Sequence, residues 1–236
     1  MLFRSDVPLV PVEALRTLVS PHEDGYHEIS SIMLPINFYD ELSILVDDED
    51  SFVCNRSFIR WNSYNSVYKM IEVMRERYGI KDHFRILLKK AVPTKAGLGG
   101  GTADAAGTLR ILQKLYHLSM SQEEIIEVCL KVGADVPFNY FNVPALVSGI
   151  GDVIEPIEMK NHYYILLVKP ESGVSTKEAY NALNMETCAH PDILLLKETL
   201  ISGGSLTGLL GNSLQESAQR LNGDIKAVID ELKRFN

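Results

Sequence analysis

The most constraining feature of this chain is a run of small residues at positions 92–106, which reads VPTKAGLGGGTADAA. Glycine has no Cβ and tolerates left-handed dihedrals, so a loop of this kind lets backbone N–H groups approach an anion closely. A helix that begins at its end would direct unpaired N–H groups and a positive dipole end at the same point. The run therefore predicts a phosphate-binding loop; a tight connection between two elements is the alternative that the residues alone leave open.

The flanking sequence favours the phosphate-loop interpretation. Residues 84–88, FRILL, are predicted to form a strand before the loop, and Ala105, Leu109, Leu112 and Tyr116 follow helical spacing after it. The loop lacks the Gly-Lys-Ser/Thr ending of a Walker A motif and the G-x-G-x-x-G spacing of a dinucleotide fold. It therefore belongs to neither of those two classes.

Composition excludes several kinds of partner. The net charge is −8 with no block of Lys and Arg, which argues against nucleic acid. No apolar run approaches the roughly 18–20 residues of a membrane span. The first 15 residues contain Asp6 and two prolines and make a poor signal peptide. Cys54, Cys129 and Cys188 are far apart and are expected to be reduced thiols, so a cytoplasmic protein (plastid, for a plant or alga) is predicted.

Helix and strand signals alternate along the chain in an α+β pattern. Residues 41–46, 81–90 and 163–168 are predicted strands, the last of them buried. Asn65 is a predicted cap of a helix that Gly79 ends, and a Ser121–Glu124 capping box starts another, which Gly133 ends. The chain from 176 to 235 is predicted to be mostly helical. A change of composition near residue 158 predicts a domain boundary there.

Asp135 is a candidate catalytic carboxylate. It lies between the helix end at Gly133 and Pro137, in a connection that can hold a side chain in one orientation. In that position it could accept a hydroxyl proton, or orient the hydroxyl, during attack on a phosphoryl group. The alternative is a turn aspartate that binds nearby backbone.

A second candidate site is the segment DGYHEI at 24–29. Tyr26 offers a flat ring for stacking on a planar base, and His27 offers both donor and acceptor character. A turn with a core tyrosine is the alternative. Gly149 and Gly151 would let backbone approach a ligand, or would shape a hairpin.

Five segments together resemble the GHMP kinase superfamily and, within it, the kinases of 4-diphosphocytidyl-2-C-methyl-D-erythritol. They are DGYHEI, NSVYK at 65–69, the glycine loop, GADVPF at 133–138 and VSTKEAY at 174–180. Thr102-Ala103 stands where this family usually has a Ser-Ser pair. The glycine loop fits the whole superfamily, whereas DGYH with GADVPF is specific to the diphosphocytidyl branch. The similarity runs from about Asp24 to Phe235.

The resemblance implies a role for each matching residue. Those expected to hold the ATP phosphates are Gly97, Leu98, Gly99, Gly100, Gly101 and Thr102. Asp135 is expected to be the catalytic base. Tyr26, His27, Ile150 and Tyr180 are expected to form a cytosine pocket, with the two tyrosines on opposite faces of the ring. Mg²⁺ accompanies ATP in the family, and Thr102 is the candidate for a hydroxyl near the metal.

The chain departs from the family pattern in two places. The family opens with a strand whose lysine lies beside the transferred phosphoryl group; here Glu13 stands at that position and no lysine precedes Lys69. The family also has a third glycine-rich segment, which is absent after Phe235, so the second domain is expected to be incomplete. A divergent, poorly active or inactive chain, an incomplete sequence, and a replacement charge from Lys89, Lys90 or Lys95 remain the alternatives.

The sequence thus predicts an α+β, two-domain GHMP kinase fold. A ribosomal-protein-S5-like ATP-binding domain is expected at residues 1–158, and a smaller ferredoxin-like domain at 159–236. The predicted activity is ATP- and Mg²⁺-dependent phosphorylation of the 2-hydroxyl of a cytidine diphosphate-linked polyol, in a monomer or homodimer. Another GHMP small-molecule kinase, such as homoserine kinase, and a ligand-binding relative without turnover are the competing interpretations.

Overall fold

The computed structural model describes residues 3–5, 10–21 and 27–235. The strands are β1 (Phe3–Ser5), β2 (Val10–Pro21), β3 (His27–Ile36), β4 (Glu41–Asp47), β5 (Ser51–Cys54), β6 (His83–Lys89), β7 (Ala145–Gly149), β8 (Val153–Pro156) and β9 (Gly211–Asn212). The helices are α1 (Ser66–Tyr78), α2 (Gly100–Leu115), α3 (Gln122–Leu130), α4 (Val136–Phe141), α5 (Thr176–Asn181), α6 (Ile193–Ser202), α7 (Gln215–Leu221) and α8 (Gly223–Leu232). A 3₁₀ turn follows at Lys233–Phe235.

The chain divides into two compact units. Unit 1 comprises Met1–Val12, Pro35–Pro93 and Leu98–Val143, and unit 2 comprises Glu13–Leu34, Thr94–Gly97 and Pro144–Asn236. Both units mix strands with helices, in agreement with the predicted α+β class. The domain boundary proposed at residue 158 stays a prediction.

Unit 1 is built on a four-stranded sheet in the order β1-β4-β6-β5. Strand β6 runs antiparallel to β4 and parallel to β5. Its side chains alternate: Phe84, Ile86 and Leu88 are buried, while the residues between them are exposed. This period of two gives the sheet one apolar face. That face joins one core with the buried sides of α1, α2 and α3.

Local signals at two helices of unit 1 are confirmed. The Asn65 side chain accepts hydrogen bonds from Val67 N–H (2.9 Å) and Tyr68 N–H (3.4 Å), and Gly79 closes α1 in the left-handed region at φ 65°. Helix α3 begins at the predicted capping box, in which Ser121 and Glu124 exchange hydrogen bonds. These ends depend on contacts within four residues, and the sequence carries all of that information.

Unit 2 contains a five-stranded sheet in the order β8-β7-β3-β2-β9. Strands β3 and β7 pair antiparallel from Ile29 opposite Gly149 to Met33 opposite Ala145. Its core contains Ile32, Leu34, Ile157, Ile193, Leu196 and Leu200. Residues 176–235 are mostly helical, as predicted, in α5 to α8.

The predicted buried strand at 163–168 is wrong. The segment YYILLV has no regular secondary structure, and Tyr164 and Leu166 are 105% and 77% exposed. An apolar run supplies strand propensity, but a strand also needs a neighbouring chain to complete its hydrogen-bond ladder. No strand of the described residues pairs with this segment.

Candidate active site

The glycine loop adopts the left-handed turns that its composition predicts. Lys95, Gly97 and Gly99 have φ of 54°, 68° and 59°. Gly99 is the cap residue of α2 and has no side chain to bind the first N–H groups of the helix. The first intrahelical bond runs from Ala103 N–H to Gly99 C=O at 2.9 Å. The start of this 16-residue helix therefore presents backbone donors without a side-chain cap, which is the arrangement that binds anions.

Thr102 links the start of α2 to the segment that carries Asp135. Its hydroxyl donates to Gly99 C=O at 2.7 Å and accepts a hydrogen bond from Asn139 Nδ2 at 3.1 Å. The same amide nitrogen donates to Asp135 C=O at 2.7 Å. A Cβ on Gly133 would lie 3.3 Å from Thr102 Cγ2, so glycine permits this close approach. Within unit 1, hydrogen bonds of Thr102 and Asn139 thus connect the start of α2 to the backbone of Asp135.

Asn139 is a residue of this connection that was not predicted from the sequence. It is 1% exposed and lies in α4, four residues after Asp135. Asp135 itself is half-buried and forms the N-terminal boundary of α4, where Pro137 fixes the first turn. A buried asparagine needs hydrogen-bond partners. Its spacing of four residues from Asp135 is the signal that could have identified it.

A buried cluster of three charges lies beneath the loop. Lys90 Nζ contacts a carboxylate oxygen of Asp40, lies 2.7 Å from Asp104 Oδ2 and donates to Gly100 C=O at 3.3 Å. The Lys90, Asp40 and Asp104 side chains are 3%, 1% and 6% exposed. We call these three residues the charge cluster.

One ammonium group cannot neutralise two carboxylates, and the pKa values reflect this. Burial is the largest influence on Asp104 and, with the nearby charge of Asp40, raises its pKa to about 7, although Lys90 acts in the opposite direction. Burial acts to lower the pKa of Lys90, but the charges of Asp104 and Asp40 outweigh it, so this pKa lies above its ordinary value. Asp104 Oδ1 is buried without a hydrogen-bond partner.

The charge cluster also holds the chain where it enters the loop. Asp40 Oδ1 accepts hydrogen bonds from Ala91 N–H (2.6 Å) and Val92 N–H (2.9 Å). The Asn55 side chain binds both the N–H (2.8 Å) and the C=O (3.1 Å) of Lys90. Asp40 and Asn55 thereby fix the backbone of residues 90–92 where the chain leaves β6.

The replacement lysines proposed from the sequence differ in their surroundings. The Lys90 ammonium is buried within the charge cluster, so it cannot serve as an exposed phosphate-binding cation. Lys89 is exposed and pairs with Glu41 at 2.9 Å. Lys95 is exposed within the loop. Lys95 therefore remains the candidate for a replacement charge.

Two of the predicted cytosine-pocket residues lie in described parts of unit 2. Ile150 is half-buried in the turn between β7 and β8, and its N–H donates to Asp152 Oδ1 at 3.0 Å. Tyr180 is half-buried in α5. Tyr26 lies outside the described residues, as do the side chains of His27 and Glu13, although His27 begins β3 and Glu13 lies in β2.

The segment before α5 packs closely on the glycine loop. A Cβ on Gly173 would lie 2.6 Å from Lys95 C=O and 2.8 Å from Lys95 Cβ. Glycine is required at this contact, because backbone cannot move aside as a flexible side chain does. Unit 2 thus places the VSTKEAY segment directly after a contact with the loop.

The Thr102 hydroxyl provides an oxygen atom at the start of α2 of the kind that a magnesium ion on ATP takes as a ligand. Mg²⁺ in nucleotide sites takes one or two protein oxygens together with phosphates and water. The Thr102 hydroxyl uses one lone pair with Asn139, which also donates to the backbone C=O of Asp135. Among the described residues no group of three or more His, Cys, Asp or Glu is arranged to hold a metal by itself.

Comparison with known proteins places the protein among the GHMP kinases, a class of ATP-dependent kinases. The family described as "GHMP kinases N terminal domain" matches residues 65–149, which include the loop, Asn139 and Asp135. A crystal structure of 4-(cytidine 5'-diphospho)-2C-methyl-D-erythritol kinase has a TM-score of 0.71 and 27% identity, and the match covers 97% of this chain and 81% of that chain. The predicted GHMP kinase fold is confirmed by this match.

Comparison with related proteins identifies one family within the GHMP kinase class. A putative 4-diphosphocytidyl-2-C-methyl-D-erythritol kinase of Streptococcus mutans is 38% identical over 203 residues, which cover 84% of this chain and 72% of the relative. The 4-diphosphocytidyl-2-C-methyl-D-erythritol kinase of Bacillus subtilis is 34% identical over 216 residues, which cover 90% and 75%. The chain belongs to the 4-diphosphocytidyl-2-C-methyl-D-erythritol kinase family. None of the helices in the described ranges combines the length and the apolar character that a bilayer crossing requires.

Proposed function

We propose that this protein transfers the γ-phosphoryl group of ATP to the 2-hydroxyl of 4-diphosphocytidyl-2-C-methyl-D-erythritol, in non-mevalonate isoprenoid precursor biosynthesis. The observation that supports the proposal is the connection Thr102–Asn139–Asp135, which ties the backbone of a turn aspartate to an uncapped helix start. The choice of substrate is supported by the names of the relatives. Homoserine kinase, the alternative within the superfamily, is disfavoured by the DGYH segment.

The glycine loop would hold the phosphates of ATP. Backbone N–H groups of Gly97–Thr102 supply donors, and the dipole of α2 adds partial positive charge at the same place. These donors are fixed before the ligand arrives, so they stabilise the charge that develops during transfer without reorganising.

Asp135 would act on the acceptor hydroxyl. Its backbone is anchored through Asn139, so the carboxylate can accept the proton as the oxygen attacks the γ-phosphorus, or orient that oxygen for attack. Thr102 would hold Mg²⁺ beside the phosphates, and the bound metal would neutralise phosphate charge. Tyr26, His27, Ile150 and Tyr180 would bind the cytosine by stacking and by hydrogen bonds.

We further propose that the protein works in the cytoplasm as a monomer or homodimer without nucleic acid. The net charge of −8 and the absence of Lys/Arg blocks support the last point. The three free thiols support a reducing compartment.

The direct test is turnover of 4-diphosphocytidyl-2-C-methyl-D-erythritol with ATP and Mg²⁺, in wild type and in Asp135→Asn. The amide keeps the shape of the side chain but cannot accept the proton, so kcat is expected to fall about 10²- to 10⁴-fold. Asp48→Asn is the matched control, because Asp48 is an exposed carboxylate in the turn between β4 and β5. Equal loss in both variants, or turnover of homoserine instead, would contradict the assignment.

Ligand binding without turnover is a second candidate, and Glu13 at the position of the family lysine favours it. Losing one group that stabilises transition-state charge costs about 10²–10³ in rate. Calorimetry with cytidine diphosphate and ATP separates the two candidates. Tight binding of both ligands with no phosphoryl transfer supports the binding protein, whereas transfer in a Glu13→Lys variant alone identifies Glu13 as the cause.

A further inference from the structure

We infer that Lys90 is a positioning residue, which holds the start of α2 against the end of β6 and so sets the form of the glycine loop for ATP. The inference deepens the proposed function and rests on the phosphate role of Gly97–Thr102. Lys90 does not touch the phosphates in this assignment, because its side chain is only 3% exposed. It acts through the backbone on both sides of the loop.

The contacts of Lys90 reach both ends of the loop at once. On the entry side, Asp40 binds the Lys90 ammonium with one carboxylate oxygen and the N–H groups of Ala91 and Val92 with the other. On the exit side, the ammonium binds Asp104 and Gly100 C=O, both in the first turns of α2. The residues that enter the loop and the first turns of α2 are therefore anchored by one cation.

Gly100 shows how closely the helix start approaches this cation. A Cβ at position 100 would lie 3.3 Å from Lys90 Nζ and 2.9 Å from Val92 Cγ1. In a helix the C=O groups point toward the C-terminus and the N–H groups of the first turn point away from it. Lys90 binds the C=O of Gly100, which points along the helix, and so leaves the first N–H groups of α2 directed toward the loop.

The arrangement of charge fits an anchor better than a simple stabilising pair. A buried ion pair repays its desolvation only with good geometry and satisfied hydrogen bonds, and here Asp104 Oδ1 has no partner. Apolar residues would fill this space at less cost. Apolar side chains cannot, however, bind a backbone carbonyl and two carboxylates as Lys90 does.

The test compares Lys90→Met/Asp104→Leu with Lys89→Met. The double variant removes both links to α2. Asp40 loses its ammonium partner but keeps the N–H groups of Ala91 and Val92. Lys89 is exposed and pairs with Glu41. The double variant is expected to lower kcat/KM for ATP by about 10²-fold, the cost of a displacement of about 1 Å. KM for the diphosphocytidyl substrate stays unchanged, and Lys89→Met behaves as wild type.

If Lys90 had a purely structural role, the double variant would have a lower melting temperature, but its KM for ATP would not rise relative to its KM for the diphosphocytidyl substrate. A folded double variant with wild-type KM for ATP would overturn the inference. If the double variant does not fold, Gly100→Ala replaces it: its Cβ would lie 3.3 Å from Lys90 Nζ and would displace the start of α2 from Lys90. A selective rise in KM for ATP is then expected, and an unchanged KM overturns the inference. Wild type that neither binds nor uses ATP would instead refute the proposed function.

Discussion

At the scale of single residues, Gly100 is a position where one added methyl group should disturb the glycine loop. The new Cβ would lie 2.9 Å from Cγ1 of Val92, whose side chain is buried at 2% exposure. Gly100→Ala is therefore expected to displace the start of α2 and to lower the free energy of unfolding by about 1–3 kcal/mol. Urea denaturation measures the stability, and KM for ATP, which should rise, measures the loop.

Gly223→Ala is the matched control, because Gly223 is also the first residue of a helix. Its Cβ would meet no atom within 4 Å, and its φ is not in the left-handed region. Alanine here restricts the unfolded chain and should raise stability by about 0.4–1 kcal/mol. Two variants with the same effect would show that packing at Gly100 is not the cause.

Some of these residues could have been found in the sequence, and others could not. Phe84, Ile86 and Leu88 alternate on the buried face of β6, and the same period of two places Lys90 on that face. A lysine at a buried position needs a carboxylate partner. The identity of that partner was out of reach, because Asp40 is 50 residues away and meets Lys90 only through the pairing of β4 with β6.

At the scale of elements, the Ser121 capping box offers a test of a local signal. Ser121 Oγ accepts from Glu124 N–H at 3.2 Å, and the Glu124 carboxylate accepts from Ser121 N–H at 2.9 Å. Ser121→Ala should lower the free energy of unfolding by about 1 kcal/mol, because one N–H at the start of α3 loses its partner. Exposed Ser119, two residues earlier and outside the helix, is the control. Equal effects of Ser119→Ala and Ser121→Ala in chemical denaturation would contradict a capping role.

Helices were easier to predict than strands for a physical reason. The ends of α1 are set by Asn65 and Gly79 within the segment itself. Residues 163–168 have high strand propensity but form no strand, because the hydrogen-bond ladder of a sheet depends on a partner strand elsewhere in the chain. The glycine loop was predictable for the same reason as α1, since φ values near 60° at Gly97 and Gly99 are a local property.

At the scale of the whole molecule, stability should depend on pH through Asp104. Its pKa is near 3.8 in the unfolded chain and about 7 in the folded protein, where burial disfavours the charged form. Between these values the folded state keeps a proton that the unfolded state has lost. The contribution of Asp104 to stability is therefore largest below about pH 4, falls as pH rises to about 7, and stays constant above that.

The difference in unfolding free energy between wild type and Asp104→Asn isolates this effect, because other titrating groups cancel. Wild type should lose stability relative to the variant by up to about 1.4 kcal/mol per pH unit within the window. Asp48→Asn, at an exposed turn, should show no such slope. A difference that instead grew in favour of wild type with rising pH would mean that attraction to Lys90 outweighs burial. The charge cluster would then be fully ionised beneath the phosphates of ATP, and its net negative charge would oppose their binding.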